Sequence, residues 1–398
     1  MTHKIVTYGI IVSEFNLYTV GAKMRNYFPL GIAEGVAFCN RKEEVKILEA
    51  NLQSGKHTLL MATRRYGKSS LALQAIKLSK IPYVELDFYM AINEKAVESY
   101  LIKGVIEAIG KTLGPIEKFI TSIKRYVKHL KPKLDIGTAN IKLELSTDPE
   151  TDPATNVKEA LLLLERLLEE NNKKAVLLLD EFQNVGVITQ GKGIEGAIRH
   201  VAQKTKNLTF IFSGSNRKLL KTMFEDEARP LYKLCWKIFL TRISEKEYCK
   251  HIQKASLSVW QQKIEDRALK EILLLTERHP FYVNKLCDQL GVYYTKNPPT
   301  TKEIHETWQR ILAEEKSDAI KEISLLSLNQ KTVLLQIAKR SSHLTSKQSI
   351  LELRMPSSSI LAAIESLEEK DLIEKVGDHY QIINPIVRFY VLNVKKNS

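Results

Sequence analysis

Between His57 and Ile76 a short apolar run, Thr58-Leu-Leu-Met61, stops at a turn, Gly67-Lys68-Ser69 follows, and helix-period residues begin at Ser70. This order limits the possible folds more than any other stretch of the 398-residue chain. A strand that feeds a helix through a phosphate-binding turn belongs to a layered, parallel α/β sheet. The backbone N–H groups of Thr63, Arg64, Arg65, Tyr66, Gly67, Lys68, Ser69 and Ser70 would wrap phosphates at the helix N-terminus. Lys68 would neutralise those phosphates, and the Ser69 hydroxyl would reach Mg²⁺. The usual spacing asks for a glycine five residues before Gly67, and Ala62 stands there. Alanine can take the left-handed backbone conformation at a cost of about 1 kcal/mol, so phosphate binding is expected to survive. A bare Gly-Lys-Ser tripeptide is common by chance, and this one needs a second motif.

The second motif is Ala175-Val-Leu-Leu-Leu-Asp180-Glu181, a continuous apolar run ending in two carboxylates. Such a run reads as a strand buried on both faces. Asp180 at its tip would reach Mg²⁺, and Glu181 would polarise the water that attacks a γ-phosphate. Taken alone, an Asp-Glu pair after an apolar strand is also an ordinary solvated turn. With Lys68 and Ser69 upstream, the pair predicts an ATP–Mg²⁺ site.

Strand candidates continue at Tyr83–Phe88, Leu208–Phe212 and Lys237–Leu240, and helix-period segments at Arg41–Gln53, Ser69–Ser79, Asn156–Asn171 and Ile194–Thr205 separate them. The alternation predicts a parallel sheet covered on both faces, with ligand at the strands' C-terminal edge. The expected organisation is an N-terminal extension (1–30), a P-loop domain (31–242) with an insertion at about 91–155, a helical lid (243–321) and a winged helix (322–398). The first 23 residues read as an appendage ahead of Met24. Within the insertion, apolar residues at 116, 119, 120, 123, 127 and 130 predict one helix over Pro115–Lys131, and Leu134–Leu145 a hairpin around Gly137. Near the C-terminus, helices over Leu326–Ala338, Ser346–Leu353 and Ser357–Lys370 precede a hairpin turning at Gly377-Asp378. That is the order of a winged helix-turn-helix.

The formal net charge is +14, and six Lys or Arg without an acid lie both between Lys118 and Leu134 and between Gly196 and Phe224. Such a balance permits an acidic or nucleic-acid partner and equally fits a solvated basic face. Four cysteines without metal spacing, and the lack of a signal or membrane-length apolar run, fit a reduced, cytoplasmic protein without a membrane partner.

Arg64-Arg65-x-Gly67-Lys68-Ser69, Leu179-Asp-Glu-Phe-Gln183 and Ser213-Gly-Ser215 occur in order, followed by Arg229-Pro230, His279-Pro280 and the winged helix. In this the chain resembles the archaeal-type ATPase group within the AAA+/STAND class of P-loop NTPases, over roughly residues 31–398. The resemblance implies that Ser213 is a polar sensor of the γ-phosphate. It also implies that Arg229 is an arginine approaching the phosphate charge, in cis or from a neighbouring subunit, and Pro280 part of an adenine contact. Ordinary roles stand beside these: a turn former for Ser213 and a structural salt bridge for Arg229. Two functions follow. One is a nucleotide-controlled switch binding ATP and ADP, with a protein partner or self-association. The other is a DNA-binding ATPase of replication-initiator type. The third winged-helix segment carries Glu365, Glu368 and Glu369 against one cation, which suits protein better than DNA.

Overall fold

The computed structural model describes residues 23–136, 141–147, 150–340, 344 and 346–393. The expected appendage up to residue 22 and the Gly137 turn lie outside them. The chain forms two compact units, one of Arg41–Thr63 with Lys68–Leu240, the other of the N-terminal residues to Asn40, Arg64–Gly67 and Thr241 onward.

The first unit holds a five-stranded parallel sheet. Its strands are β1 (Thr58–Ala62), β2 (Tyr83–Asp87), β5 (Ala175–Asp180), β6 (Leu208–Gly214) and β7 (Trp236–Leu240), in the order β2-β5-β6-β1-β7. β1, β5 and β6 lie inside the sheet with helices on its faces, so their residues are buried almost throughout, which is why they read as unbroken apolar runs. The edge strand β7 alternates instead, burying Ile238 and Leu240 and exposing Trp236, Lys237 and Phe239.

Helix Pro153–Glu170 starts where the Asp152 carboxylate accepts the Thr155 N–H at 3.2 Å and Pro153 opens the first turn. Its apolar stripe packs on helices Glu94–Leu113 and Ile194–Ala202. Gly104 allows helix Glu94–Leu113 to approach β2, since a Cβ there would come within 2.6 Å of the Leu86 methyl.

The insertion differs from expectation. A 3-10 turn, Ile116–Phe119, leads into a helix that ends at Tyr126, and the chain then enters β3 (Leu130–Ile136), paired antiparallel with β4 (Ile141–Thr147). The Glu159 carboxylate, on helix Pro153–Glu170, accepts the N–H groups of Lys128, His129 (2.9 Å) and Leu130 (3.1 Å). A remote acceptor thus takes amides that would otherwise continue the helix, and Val127 and Leu130 are still buried.

The second unit is mainly helical. Ser244, Thr300 and Ser327 cap helices Glu245–Trp260, Thr301–Ser324 and Leu328–Ala338, the last two through reciprocal capping boxes with Glu303 and Gln330. Helices Leu328–Ala338, Lys347–Leu353 and Ser357–Glu369 precede the wing, β8 (Ile373–Val376) and β9 (His379–Ile382), which turns at Gly377 with φ of +59°. Helix Pro385–Asn393 closes the unit. One core joins these helices to the preceding bundle. It takes in Met24 and Phe28, which no periodicity in the first 30 residues singles out; Gly291 makes room for Met24. Among the described residues no helix is long and apolar enough to cross a membrane.

Candidate functional site

β6 lies between β1 and β5, pairing Leu60 with Ser213 and Met61 with Gly214 on one side and Leu179 with Phe212 on the other. All three strands are parallel, so Thr63, Lys68 and Ser69 after β1, Ser213–Ser215 at the end of β6, and Asp180 and Glu181 at the end of β5 share one edge of the sheet. Lys68 opens helix Lys68–Ser79, whose first-turn amides have no partner within the helix. Thr63, Lys68 and Ser70 are buried, Ser69 is half-buried, and Arg64 and Arg65 are exposed.

The expectation for Ala62 needs correction. Ala62 is the last residue of β1, in extended backbone and 1% exposed, so its methyl requires no left-handed conformation. The left-handed residues are Arg65, at φ of 63°, and Gly67, at 85°. Arg65 carries the cost of roughly 1 kcal/mol that the sequence had assigned to Ala62.

Glu181 has a left-handed backbone at φ of 48°, outside any glycine. Its own N–H donates to Asp180 Oδ1 at 3.0 Å, and the next amide, Phe182, donates to Ser213 O at 2.9 Å, tying the ends of β5 and β6 together. The Glu181 carboxylate accepts from Ser215 Oγ at 2.9 Å and from Gln183 Nε2. Gly214 makes this possible, because a Cβ there would overlap the Gln183 amide oxygen. Sequence reasoning noted Gln183 and Ser215 without giving either a role; the Ser213-Gly-Ser215 pattern was the available signal.

Arg229 is held by Glu195, Nη2 donating to Oε1 at 2.6 Å. Glu195 is fully buried and also accepts from Thr189 Oγ1 at 2.9 Å. Burial raises its carboxyl above the usual range, against the opposing pull of Arg229 and Thr189. Gly191, at φ of +80°, leaves the space for Arg229, since a Cβ would lie 2.9 Å from its Nε.

The turn residues Arg64–Gly67 group with the second unit. Tyr66 is 1% exposed; its hydroxyl donates to Glu374 Oε1 on β8 at 2.7 Å and accepts from Arg242 Nε at 2.9 Å. Burial drives the phenol's pKa up, so it stays protonated. The Arg65 guanidinium lies 4.1 Å over the Phe281 ring, and the Tyr66 ring meets His279 edge-on at 5.1 Å. Pro280 is the first residue of helix Pro280–Tyr293, with His279 as its N-cap. Burial, then Arg242 and Arg65, push His279 down to about 3, so the ring is neutral.

The side-chain oxygens of Ser69 and Asp180, on the same sheet edge, are hard donors of the kind that Mg²⁺ would take. Among the described residues no group of three or more His, Cys, Asp or Glu is arranged to hold a metal alone. An ion here would share its coordination with phosphate oxygens and water.

In sequence, residues 120–249 match the AAA domain family, and residues 320–393 match a family described as a probable winged helix domain. The chain thus carries an AAA-domain match through its middle, and a winged-helix match at its C-terminus, on a parallel α/β fold. No curated protein matches this chain. Among solved structures it is similar to the Walker-type ATPase paby2304 of Pyrococcus abyssi, at 21% identity and a TM-score of 0.61, covering 89% of this chain and 96% of that one. It is also similar to the Aeropyrum pernix ORC2 protein in ADPNP–ADP complexes, at 13% identity and 0.54, covering 94% and 98%. At these identities both support the AAA-type fold alone.

Proposed function

We propose that this AAA-type protein binds ATP with Mg²⁺ at Thr63–Ser70, hydrolyses it slowly, and works as a nucleotide-controlled switch. The observation that carries the reading is the single sheet edge shared by Lys68, Ser69, Asp180, Glu181 and Ser213. The helix N-terminal amides and the Lys68 ammonium bind and neutralise the phosphates. Mg²⁺, when bound, supplies further charge neutralisation between the phosphates. Glu181 accepts a proton from the attacking water as its oxygen bonds to the γ-phosphorus. The bond to the ADP oxygen then breaks, leaving ADP and phosphate. Slow turnover is the expectation because Glu181 is already engaged by Ser215 and Gln183, and those bonds compete with water for its oxygens. Ser213 senses the γ-phosphate from the central strand. The buried Glu195 partner supports a bracing role for Arg229 over a phosphate-directed one.

The winged helix supports a protein-contact role better than a DNA-reading one. Helix Ser357–Glu369 turns Ile360, Ala363, Ile364 and Leu367 inward and exposes Leu361, Glu365 and Glu369. Carboxylates on that face repel a phosphate backbone.

Lys68→Ala should abolish ATP binding, measured by equilibrium titration with a fluorescent ATP analogue. Glu181→Gln should keep binding and slow single-turnover hydrolysis at least a hundredfold, on the order expected for loss of a general base. Wild-type turnover in Glu181→Gln would remove Glu181 from its assigned role. Salt-dependent binding to a duplex with DNA-stimulated turnover would replace the switch with the replication-initiator reading.

A further inference from the structure

Of the four residues Arg64–Gly67, only Tyr66 has a fully buried side chain. It stands between the left-handed Arg65 and Gly67, in a stretch whose backbone shape must be held from outside. The holding group is a polar cluster. Besides Tyr66, Arg242 donates to Glu277 O at 2.7 Å and to Ile382 O and Ile383 O, both at 3.0 Å. Glu374, which accepts the phenol, also accepts from Gln381 Nε2 at 2.6 Å. Arg388 Nη1 donates to Glu277 Oε1 at 2.8 Å. Glu374 and Gln381 stand opposite each other in the β8–β9 register, so β8 holds the tyrosine through Glu374 and β9 braces that carboxylate through Gln381. Arg242, Glu277, Gln381 and Arg388 line a cavity of about 700 Å³, and the cluster has room to rearrange.

We propose that Tyr66, Arg242 and Glu374 are positioning residues for the phosphate-binding turn, and that through them nucleotide occupancy is linked to the wing hairpin. The inference rests on nucleotide binding at Thr63–Ser70. Its physical content is reciprocity: the factor by which the anchored wing tightens nucleotide binding is the factor by which nucleotide tightens the wing. A buried tyrosine that served packing alone would stabilise the unit without making the wing respond to nucleotide.

The test uses the full chain and a fluorescent ATP analogue, with amide hydrogen exchange followed over residues 373–382. In the wild type, ATP should slow exchange across the wing. Tyr66→Phe should raise the Kd about tenfold, within the usual range of coupling between sites, and remove the exchange response. That variant is expected to fold, because Arg242 Nε already lies 3.4 Å from Glu374 Oε1 and keeps a partner when the hydroxyl is lost. Glu374→Gln tests the other end of the link and should weaken both effects in the same direction. Variants that melt like the wild type, bind ATP with its Kd and give its exchange response would overturn the proposal. A wild-type chain that fails to bind ATP would instead overturn the nucleotide reading, and the link with it.

Discussion

Arg229 and Glu195 show how one residue's surroundings decide between two roles that sequence leaves open. Glu195 has no exposed surface, so removing its cation strands a charge in a poor solvent for it. Arg229→Ala should therefore destabilise its unit by about 3 kcal/mol in urea unfolding, the lower end for a broken buried pair. Turnover per folded molecule should change less than tenfold, because an arginine that stabilises a phosphoryl transition state is worth about 10³-fold or more. A loss of that size in a well-folded variant would restore the phosphate-directed role. Gly214 gives a complementary test. A methyl there displaces Gln183 from Glu181, so Gly214→Ala should alter single-turnover hydrolysis while leaving the Kd for ATP within about threefold, an energy difference below 1 kcal/mol. The positions of Lys68 and Asp180 were legible because one begins a helix and the other ends an apolar strand, with Glu181 the next residue. The Ser215 and Gln183 bonds were not, since they depend on how the ends of β5 and β6 meet in space.

Among the elements, the inner strands β1, β5 and β6 were read closely because burial on both faces writes itself as nearly uninterrupted Val, Leu, Ile and Phe. Helix Glu94–Leu113 carried an equally good signal, with Val97, Leu101, Val105 and Ile109 on one stripe and Asn93 and Gly114 as caps, and was passed over inside the broad insertion. The overlong helix at Pro115–Lys131 failed for another reason. Its apolar spacing fits a helix up to Tyr126, and its continuation is refused by Glu159, about 30 residues further on. Glu159→Ala should release the amides of residues 128–130 at a cost of about 1–3 kcal/mol for the unsatisfied groups. Exchange and proteolysis should rise from residue 127 into β3 and β4, with β1, β5 and β6 unchanged. Equal protection in the variant would mean that β3 forms without that carboxylate.

For the molecule as a whole, alternating elements and a terminal winged helix were readable. The bond from Tyr66 to Glu374, separated by 308 residues, was not. Acid should weaken both units. Burial lowers the pKa values of His57 in one and of His251 and His279 in the other. Each is neutral when folded and takes up a proton when unfolded below its ordinary value of 6.5. The unfolded state then binds more protons, so stability is complete above that value and falls as pH drops through it, by roughly 1.4 kcal/mol per unit for each ring until its folded value is reached. Denaturant midpoints should decline as pH falls from about 6.5 until the buried Glu195 carboxyl, raised by burial, takes up its proton and opposes the trend; a midpoint that rose on the first step below about pH 6.5 would contradict the buried, neutral rings.

His57 offers a way to watch one unit alone. Its Nδ1 accepts the Phe210 N–H at 3.1 Å, which leaves the proton on Nε2, facing Ala202 O at 2.8 Å. An imidazole proton shut in this way exchanges slowly with water and resonates far downfield, clear of the amide envelope. It is a built-in spectroscopic gauge at the foot of β1. Its disappearance on heating or with denaturant would date the opening of the sheet, whatever the helices of the other unit are doing at that moment.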